Sequence, residues 1–261
     1  MTSLPPLPLP SSWGIRPVLF TVGSFRVESY PVFMALALFV GILVFVFFLK
    51  KEKKTHEHSF YILIAALVGG VLGAKIPIWL TQYAQIATGG FDIDALLSGR
   101  TIVGGLIGGT LAVWWIKRRL HIKQRIGNAI APALAAGIAV GRWGCFLRGC
   151  CHGQPTLLPW GVDFGDGILR HPTQLYESLF GVIAFLILIF CLRKKQPDGL
   201  LLTGFMIAYF LFRFFLEFIR TEPRLLFGFT GYQYAAIVVL VYYALKLLFP
   251  FPIRIWIKRP S

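Results

Sequence analysis

Seven stretches of this chain come close to the roughly 20 mostly apolar residues that an α-helix needs to cross a bilayer core. They cover 30–49, 59–80, 101–116, 127–146, 172–192, 200–219 and 232–250. A backbone in hydrocarbon must satisfy its own hydrogen bonds, and apolar segments of this length do so as helices. Of the 261 residues, 56% are hydrophobic and 14% charged, whereas a soluble domain carries about 25% charged residues. The mean hydropathy of +0.71 points the same way. The expected fold is an all-α polytopic membrane protein with about seven transmembrane helices. The third and fourth segments are short or rich in Gly and Ala, which suits helices packed against helices.

The net charge of +15 invites a nucleic-acid reading. That reading needs a water-facing basic patch, whereas the 26 Lys and Arg are scattered between apolar runs, so no nucleic-acid partner is expected. Basic residues near helix ends stay on the cytoplasmic side. Sixteen of the 26, from Lys50 to Arg259, follow helices one, three, five and seven, or lie at the end of the seventh. Seven fall on the opposite side: Arg16, Arg26, Arg100, Arg148, Arg170, Arg220 and Arg224. The N-terminus is therefore expected outside and the C-terminus in the cytoplasm. This divides the chain into an outer-face segment over 1–29, a transmembrane domain over 30–250 and a basic cytoplasmic tail over 251–261. The opening MTSLPPLPLPSSW lacks a basic region, and its prolines break any apolar helix, so a cleaved signal peptide is not expected.

Lys75, Arg142 and Arg213 fall inside the predicted helices. An Arg at the middle of a membrane helix costs about 2.5–3.5 kcal/mol on insertion scales, so it faces a cavity, a partner or a ligand. Arg142 opens GRWGCFLRGCCHGQPT, where a helix leaves the membrane, and a guanidinium there suits a phosphate. Headgroup snorkelling is its bland alternative. The C-x4-C-C-H spacing of Cys145, Cys150, Cys151 and His152 differs from the spaced pairs of structural zinc sites, so neither metal nor cofactor is expected. A disulfide from Cys145, plain packing and a thiolate activated by Arg148 or His152 all fit these cysteines.

In RHPTQLYES, Pro172 suits a first helical position, and Gln174, Glu177 and Ser178 share one face. His171 is a candidate general base, and Glu177 a cap or salt-bridge partner. In YFLFRFFLEFIRTEPR, Arg213, Glu217 and Arg220 align at i, i+4 and i+7, and Glu217 is placed to pair with both arginines. GxxxG spacings such as Gly69/Gly73, Gly104/Gly108 and Gly137/Gly141 serve close helix packing. Gly104 and Gly105, at a helix start, also offer amides to an anion.

At VGGLIGG, GRWG, HPTQLYES and RFFLEFIR, in that order, the chain resembles the prolipoprotein diacylglyceryl transferases of bacterial inner membranes. The resemblance implies a seven-helix fold whose active cavity opens to the periplasm. It implies transfer of the diacylglyceryl group of phosphatidylglycerol to a prolipoprotein lipobox cysteine, with release of glycerol phosphate. Arg142 and Arg213 match the family's essential arginines, Glu217 and Arg220 complete the helix-six motif, and Tyr30 is similar to the tyrosine near the start of helix one. Arginines at the developing phosphate charge would stabilise the leaving group.

Three departures accompany this resemblance. Val103 stands where the family has the His before Gly-Gly-Leu, Cys145 replaces its Asn, and Arg148, Gly149 and Cys150 replace its Asn-Gly-Glu. The chain reads as a divergent paralogue, and His171 or His152 replacing the base, or Cys150 or Cys151 taking part directly, are hypotheses raised by proximity. A different outer-face acceptor, or a phospholipid binder or transporter without catalysis, are the competing expectations.

Overall fold

The computed structural model describes residues 14–23, 25–53, 57–86 and 101–248. The predicted tail 251–261 and the first thirteen residues lie outside the described residues. A short antiparallel hairpin, β1 (Val18–Val22) with β2 (Phe25–Glu28), leads into helix α1 (Ser29–Lys51). Then follow α2 (Glu57–Ile86), α3 (Ile102–Arg119), α4 (Gly127–Arg148), α5 (Thr173–Cys191), α6 (Leu200–Leu216) and α7 (Gly231–Leu248). Between α4 and α5 sits a second hairpin, β3 (Val162–Asp163) with β4 (Leu169–Arg170).

The protein is thus an all-α polytopic membrane protein. Among the described residues, six helices are long and apolar enough to span. The third predicted segment is also helical, but α3 ends in three cations, Lys117, Arg118 and Arg119, and is less apolar than the others. Many large apolar side chains are exposed, among them Phe39, Phe47, Val71, Leu186, Phe215 and Val238. Water would penalise such a surface, and lipid does not.

The chain forms two compact units, 49–126 and the remainder. In the smaller one, α2 and α3 meet through glycines. A Cβ on Gly73 would stand 2.5 Å from the Gly104 carbonyl oxygen and 2.7 Å from Gly108 Cα, so backbone touches backbone. Thr101 caps α3. Its Oγ1 accepts from Gly104 N at 3.2 Å, and its carbonyl accepts from Gly105 N at 3.0 Å. Those two amides are therefore engaged by Thr101 rather than held ready for an anion, and these glycines serve packing.

In the larger unit, α4 is rich in small residues and packs closely on both sides. A Cβ on Gly181 of α5 would lie 2.9 Å from Ala135 O and Ala139 N, and one on Gly144 would lie 2.8 Å from Phe33 Cβ of α1. Tyr209 and Phe210 of α6 are fully buried. The start of α7 is a reciprocal capping box: Gln233 N donates to Thr230 Oγ1 at 3.3 Å, and Thr230 N to Gln233 Oε1 at 2.9 Å.

The opposite end of α4 carries a buried amide that organises the start of α6. Asn128 Oδ1 accepts from Gly199 N at 3.1 Å and Leu201 N at 3.2 Å, while its Nδ2 donates to Pro197 O at 3.0 Å. The amide thus serves donors that a helix start leaves without intrahelical partners. Asn128→Ala is expected to destabilise by about 1–3 kcal/mol, because it strands buried amides. Thermal unfolding in detergent measures it, and an unchanged midpoint would contradict this role.

Candidate functional site

Three helix ends and one loop converge in the larger unit. Arg142 comes from the last two turns of α4, Glu177 from the second turn of α5, and Arg213 from the last turn of α6, where the helix dipole favours a cation. Glu177 is fully buried and links all three. Its Oε2 accepts from Arg142 Nη2 at 2.5 Å and from the Tyr209 hydroxyl at 3.3 Å, and its Oε1 accepts from Arg213 Nη1 at 3.1 Å. The face predicted for Gln174, Glu177 and Ser178 is the buried one. Ser178 Oγ donates to Ala139 O at 2.7 Å, fastening α5 to α4.

A second carboxylate extends the network. Glu217 Oε2 lies 2.8 Å from Arg213 Nη2 and 3.7 Å from Arg220 Nε. The i+7 alignment is not purely helical, because α6 ends at Leu216, tightens into a 3-10 turn over Glu217–Ile219, and leaves Arg220 extended. Pro223 lies just ahead and disfavours helix in the residue before it. The Arg220 guanidinium then pairs with Glu222 at 2.7 Å. The cations are thus compensated in place, which a low-dielectric interior demands. Arg142 Nε and Arg213 Nε have no hydrogen-bond partner among the described residues, although both guanidiniums are buried. Buried donors of this kind suit an anion.

The loop after α4 covers this cluster. Gly149 takes φ +77°, its amide donates to Phe146 O at 2.9 Å, and Cys150 N reaches back to Cys145 O at 3.1 Å. This is a Schellman helix end, which lays the residue after the glycine against the last turn. Cys151 follows at φ +65°, a left-handed geometry that costs a non-glycine residue about 1–2 kcal/mol. Its carbonyl is held by Thr173 Oγ1 at 2.6 Å and Arg220 Nη1 at 3.2 Å, and the Cys150 carbonyl by Gln174 Nε2 at 2.5 Å. The Sγ atoms of Cys145, Cys150 and Cys151 consequently lie within 4.8 Å of one another, and Arg142 Nη1 is 3.9 Å from the Cys145 sulfur. Hydrogen bonding from the Cys145 and Cys150 thiols holds Cys151 well below the usual thiol range, with Arg142 and Arg220 adding to it against the effect of burial. Hydrogen bonding with the Cys145 and Cys151 thiols, together with burial, pushes Cys150 up.

Gly153 ties this loop to its neighbours. Its amide donates to His171 O at 2.8 Å, and it bridges to Arg220. A Cβ there would stand 2.6 Å from Ile219 O and 2.8 Å from His171 Cβ. Gly153→Ala is therefore expected to push the loop away from the α6 end and destabilise by about 1–3 kcal/mol. A lowered melting midpoint together with faster Cys150 and Cys151 alkylation would show it, and neither change would contradict it.

The remaining predicted residues sit around this centre. The His171 ring pairs with the Tyr176 hydroxyl at 3.2 Å, and Trp160 Nε1 donates to the same hydroxyl at 2.8 Å. The His152 ring lies against Phe164, tilted by 31° with centroids 5.0 Å apart, and its Nδ1 lies 3.3 Å from Gly153 O. Exposed Arg148 lies over the Tyr30 ring at 5.2 Å. Pro172 precedes α5 as its cap residue rather than opening it. Arg170 and Asp166 pair at 2.5 Å at the loop surface, and that hydrogen bond keeps the Asp166 carboxyl below its usual range. Val103, Gly104 and Gly105 belong to the smaller unit, as does buried Lys75.

These features define an integral membrane protein with a buried, charge-compensated guanidinium centre at its helix ends. Comparison with known proteins narrows the class. The model of the prolipoprotein diacylglyceryl transferase family matches residues 17–249. The phosphatidylglycerol–prolipoprotein diacylglyceryl transferase of Clostridium tetani is 30% identical over 217 residues, covering 80% of this chain and 87% of that protein. The enzyme of the same name from Pseudoalteromonas atlantica is 33% identical over 219 residues, 80% of this chain and 76% of its own length. The chain belongs to the prolipoprotein diacylglyceryl transferase family.

Proposed function

We propose that this protein transfers the diacylglyceryl group of phosphatidylglycerol to the lipobox cysteine of a prolipoprotein. The observation that carries the reading is the pair Arg142 and Arg213, locked by the shared Glu177 carboxylate, each with an Nε that has no hydrogen-bond partner among the described residues. In the reaction the acceptor sulfur attacks the glycerol carbon that bears the phosphate ester. The S–C bond forms, the C–O bond breaks, and glycerol phosphate leaves with the electron pair. Preorganised guanidiniums beside that oxygen stabilise the developing charge without reorganising. Glu177 and Glu217 act as positioning residues, because each holds a guanidinium in place. Arg220 and Gln174 fix the loop against which headgroup and acceptor would meet. Tyr30 and Arg148 lie at its rim.

In this reading the chain lies in the bacterial cytoplasmic membrane with these helix ends towards the periplasm, and the excess of Lys and Arg at the opposite helix ends supports that orientation. Accessibility of an introduced cysteine at Leu157 to an impermeant maleimide in whole cells tests that orientation. Purified protein in detergent, given phosphatidylglycerol labelled in its headgroup and a lipobox peptide, is expected to release glycerol phosphate in step with lipidated peptide. Tight phospholipid binding with neither product would leave a lipid-binding protein and overturn the transferase reading.

A further inference from the structure

The reaction leaves one proton unaccounted for. A thiol attacks as its thiolate, yet Val103 occupies the position at which the family resemblance places a histidine base, and valine takes no proton. The three clustered sulfurs have no part in the chemistry described above. From this juxtaposition we infer that Cys145, Cys150 and Cys151 form a three-thiolate zinc site whose fourth position receives the acceptor thiol; the inference rests on the transferase reading.

The geometry suits the ion. Zinc binds thiolate sulfur at about 2.3 Å in a tetrahedron, which sets sulfurs about 3.8 Å apart. The sulfurs lie within 4.8 Å of one another, so closing on the ion requires shifts of about 1 Å or less. Three protein ligands are the number that leaves a coordination position for a substrate. Cys145 is buried while Cys150 and Cys151 are half-exposed, so the site is approached from the loop side.

The surroundings support the same assignment. Side chains fix the backbone of both loop cysteines: Gln174 on the Cys150 carbonyl, Thr173 and Arg220 on that of Cys151. Such outer contacts orient ligands in metal sites. A zinc with three thiolates carries one net negative charge, and a fourth thiolate makes it two. Arg142, 3.9 Å from the Cys145 sulfur, and Arg220, on the Cys151 carbonyl, place positive charge beside it. Gln174 is fully buried, and its Oε1 has no hydrogen-bond partner among the described residues. The left-handed Cys151 is the strained element that turns its side chain back toward the other two.

The step balances without a redox change. The acceptor thiol binds zinc as thiolate, and its proton passes to solvent, because coordination to the ion deprotonates a thiol. The bound sulfur then attacks the glycerol carbon, and the phosphate oxygen leaves beside Arg142 and Arg213. The product is a thioether, a neutral and weaker ligand, so it departs and the zinc remains.

The test uses the whole protein in detergent, reduced and stripped with a chelator. Titration with Zn2+ against a chromophoric competitor is expected to show one equivalent bound. Co2+ as a spectroscopic probe is expected to give a sulfur-to-metal charge-transfer band for three thiolates. A lipobox peptide should strengthen that band, while its Cys-to-Ser counterpart should not. Cys145→Ser, Cys150→Ser and Cys151→Ser should each weaken the band, and Cys191→Ser should leave it intact. The wild-type band counts the thiolates by itself, so an unfolded variant does not blunt the test. Stripping should slow transfer by about a hundredfold or more, the scale of a lost acid–base group, and zinc should restore it.

Less than one equivalent in the reduced protein, a disulfide among the three cysteines in fully active enzyme, or a band indifferent to the peptide would overturn the site. Full transfer by stripped protein would overturn it while leaving the transferase intact. Stoichiometric metal with a peptide-responsive band, but no lipidated product under any condition, would instead overturn the transferase.

Discussion

Glu177→Gln is expected to slow transfer by about 10²–10³ and to lower stability by about 3–5 kcal/mol, the scale set by removing one partner of a buried ion pair. The change keeps the size of the side chain and removes only its charge. Arg142 and Arg213 would then be two buried cations without their shared carboxylate, 2.5 and 3.1 Å from a neutral amide. Half of that amide is an N–H₂ group, which cannot accept a hydrogen bond from either guanidinium. Arg213 keeps Glu217 at 2.8 Å, but Arg142 keeps only contacts such as the Cys145 sulfur at 3.9 Å. Arg142 should therefore swing out of place, and the phosphate would lose a fixed donor, worth about 10²–10³ in rate for one such group. Thermal unfolding and the labelled-lipid assay read the two effects separately. Because residues in one network couple, Arg142→Gln combined with Glu177→Gln should cost less than the sum of the single changes. Additive costs, or a Glu177→Gln protein that melts and turns over like the parent, would show that Glu177 does not hold the arginines.

The sequence discloses parts of this centre and hides others for physical reasons. Local spacing was informative wherever one helix set the geometry. Gln174, Glu177 and Ser178 share a face because a helix repeats every 3.6 residues, and Arg213 meets Glu217 as an i,i+4 pair. The partnership of Glu177 with Arg142 and Arg213 spans 35 and 36 residues, and periodicity within one helix says nothing about which neighbouring helix lies opposite. Glu177 therefore reads as a cap or a simple salt-bridge partner, although it joins three helices. The cysteine cluster was more legible than ligand-spacing rules suggest. Gly149 after a helix predicts a Schellman turn, and such a turn brings Cys150 back to Cys145; the left-handed Cys151 could not be anticipated in the same way. The amides of Gly104 and Gly105 illustrate the reverse, since Thr101 immediately upstream is a helix cap and takes both. His171 and His152 attract attention through their chemistry, yet the folded loop places one against Tyr176 and the other on Phe164.

In the smaller unit, Gly108→Val is expected to separate α2 from α3. A Cβ at Gly108 would stand 2.6 Å from Gly73 Cα and 3.1 Å from Gly73 N, as well as against the Gly69 carbonyl. None of these atoms is the flexible end of a side chain, so rotation of a side chain gives no relief. The helices must move apart, and with them Gly69, Gly70, Gly73 and Gly105 lose their backbone approach. In lipid, close packing is a main source of helix association, because apolar burial favours neither the associated nor the separated pair. The loss should exceed the about 1–3 kcal/mol of ordinary core overpacking. It should appear as a lowered melting midpoint and as new protease cleavage within 49–126. Gly204→Ala supplies the opposite case, because a Cβ on Gly204 of α6 would meet nothing within 4 Å. Alanine there is expected to be neutral or to stabilise by about 0.8–1 kcal/mol through helix propensity. If Gly108→Val and Gly204→Ala melt alike, the glycine contacts of α2 and α3 do not hold that unit together. If only the first unfolds early, the backbone approach of the two helices is what fixes the segment that carries Val103.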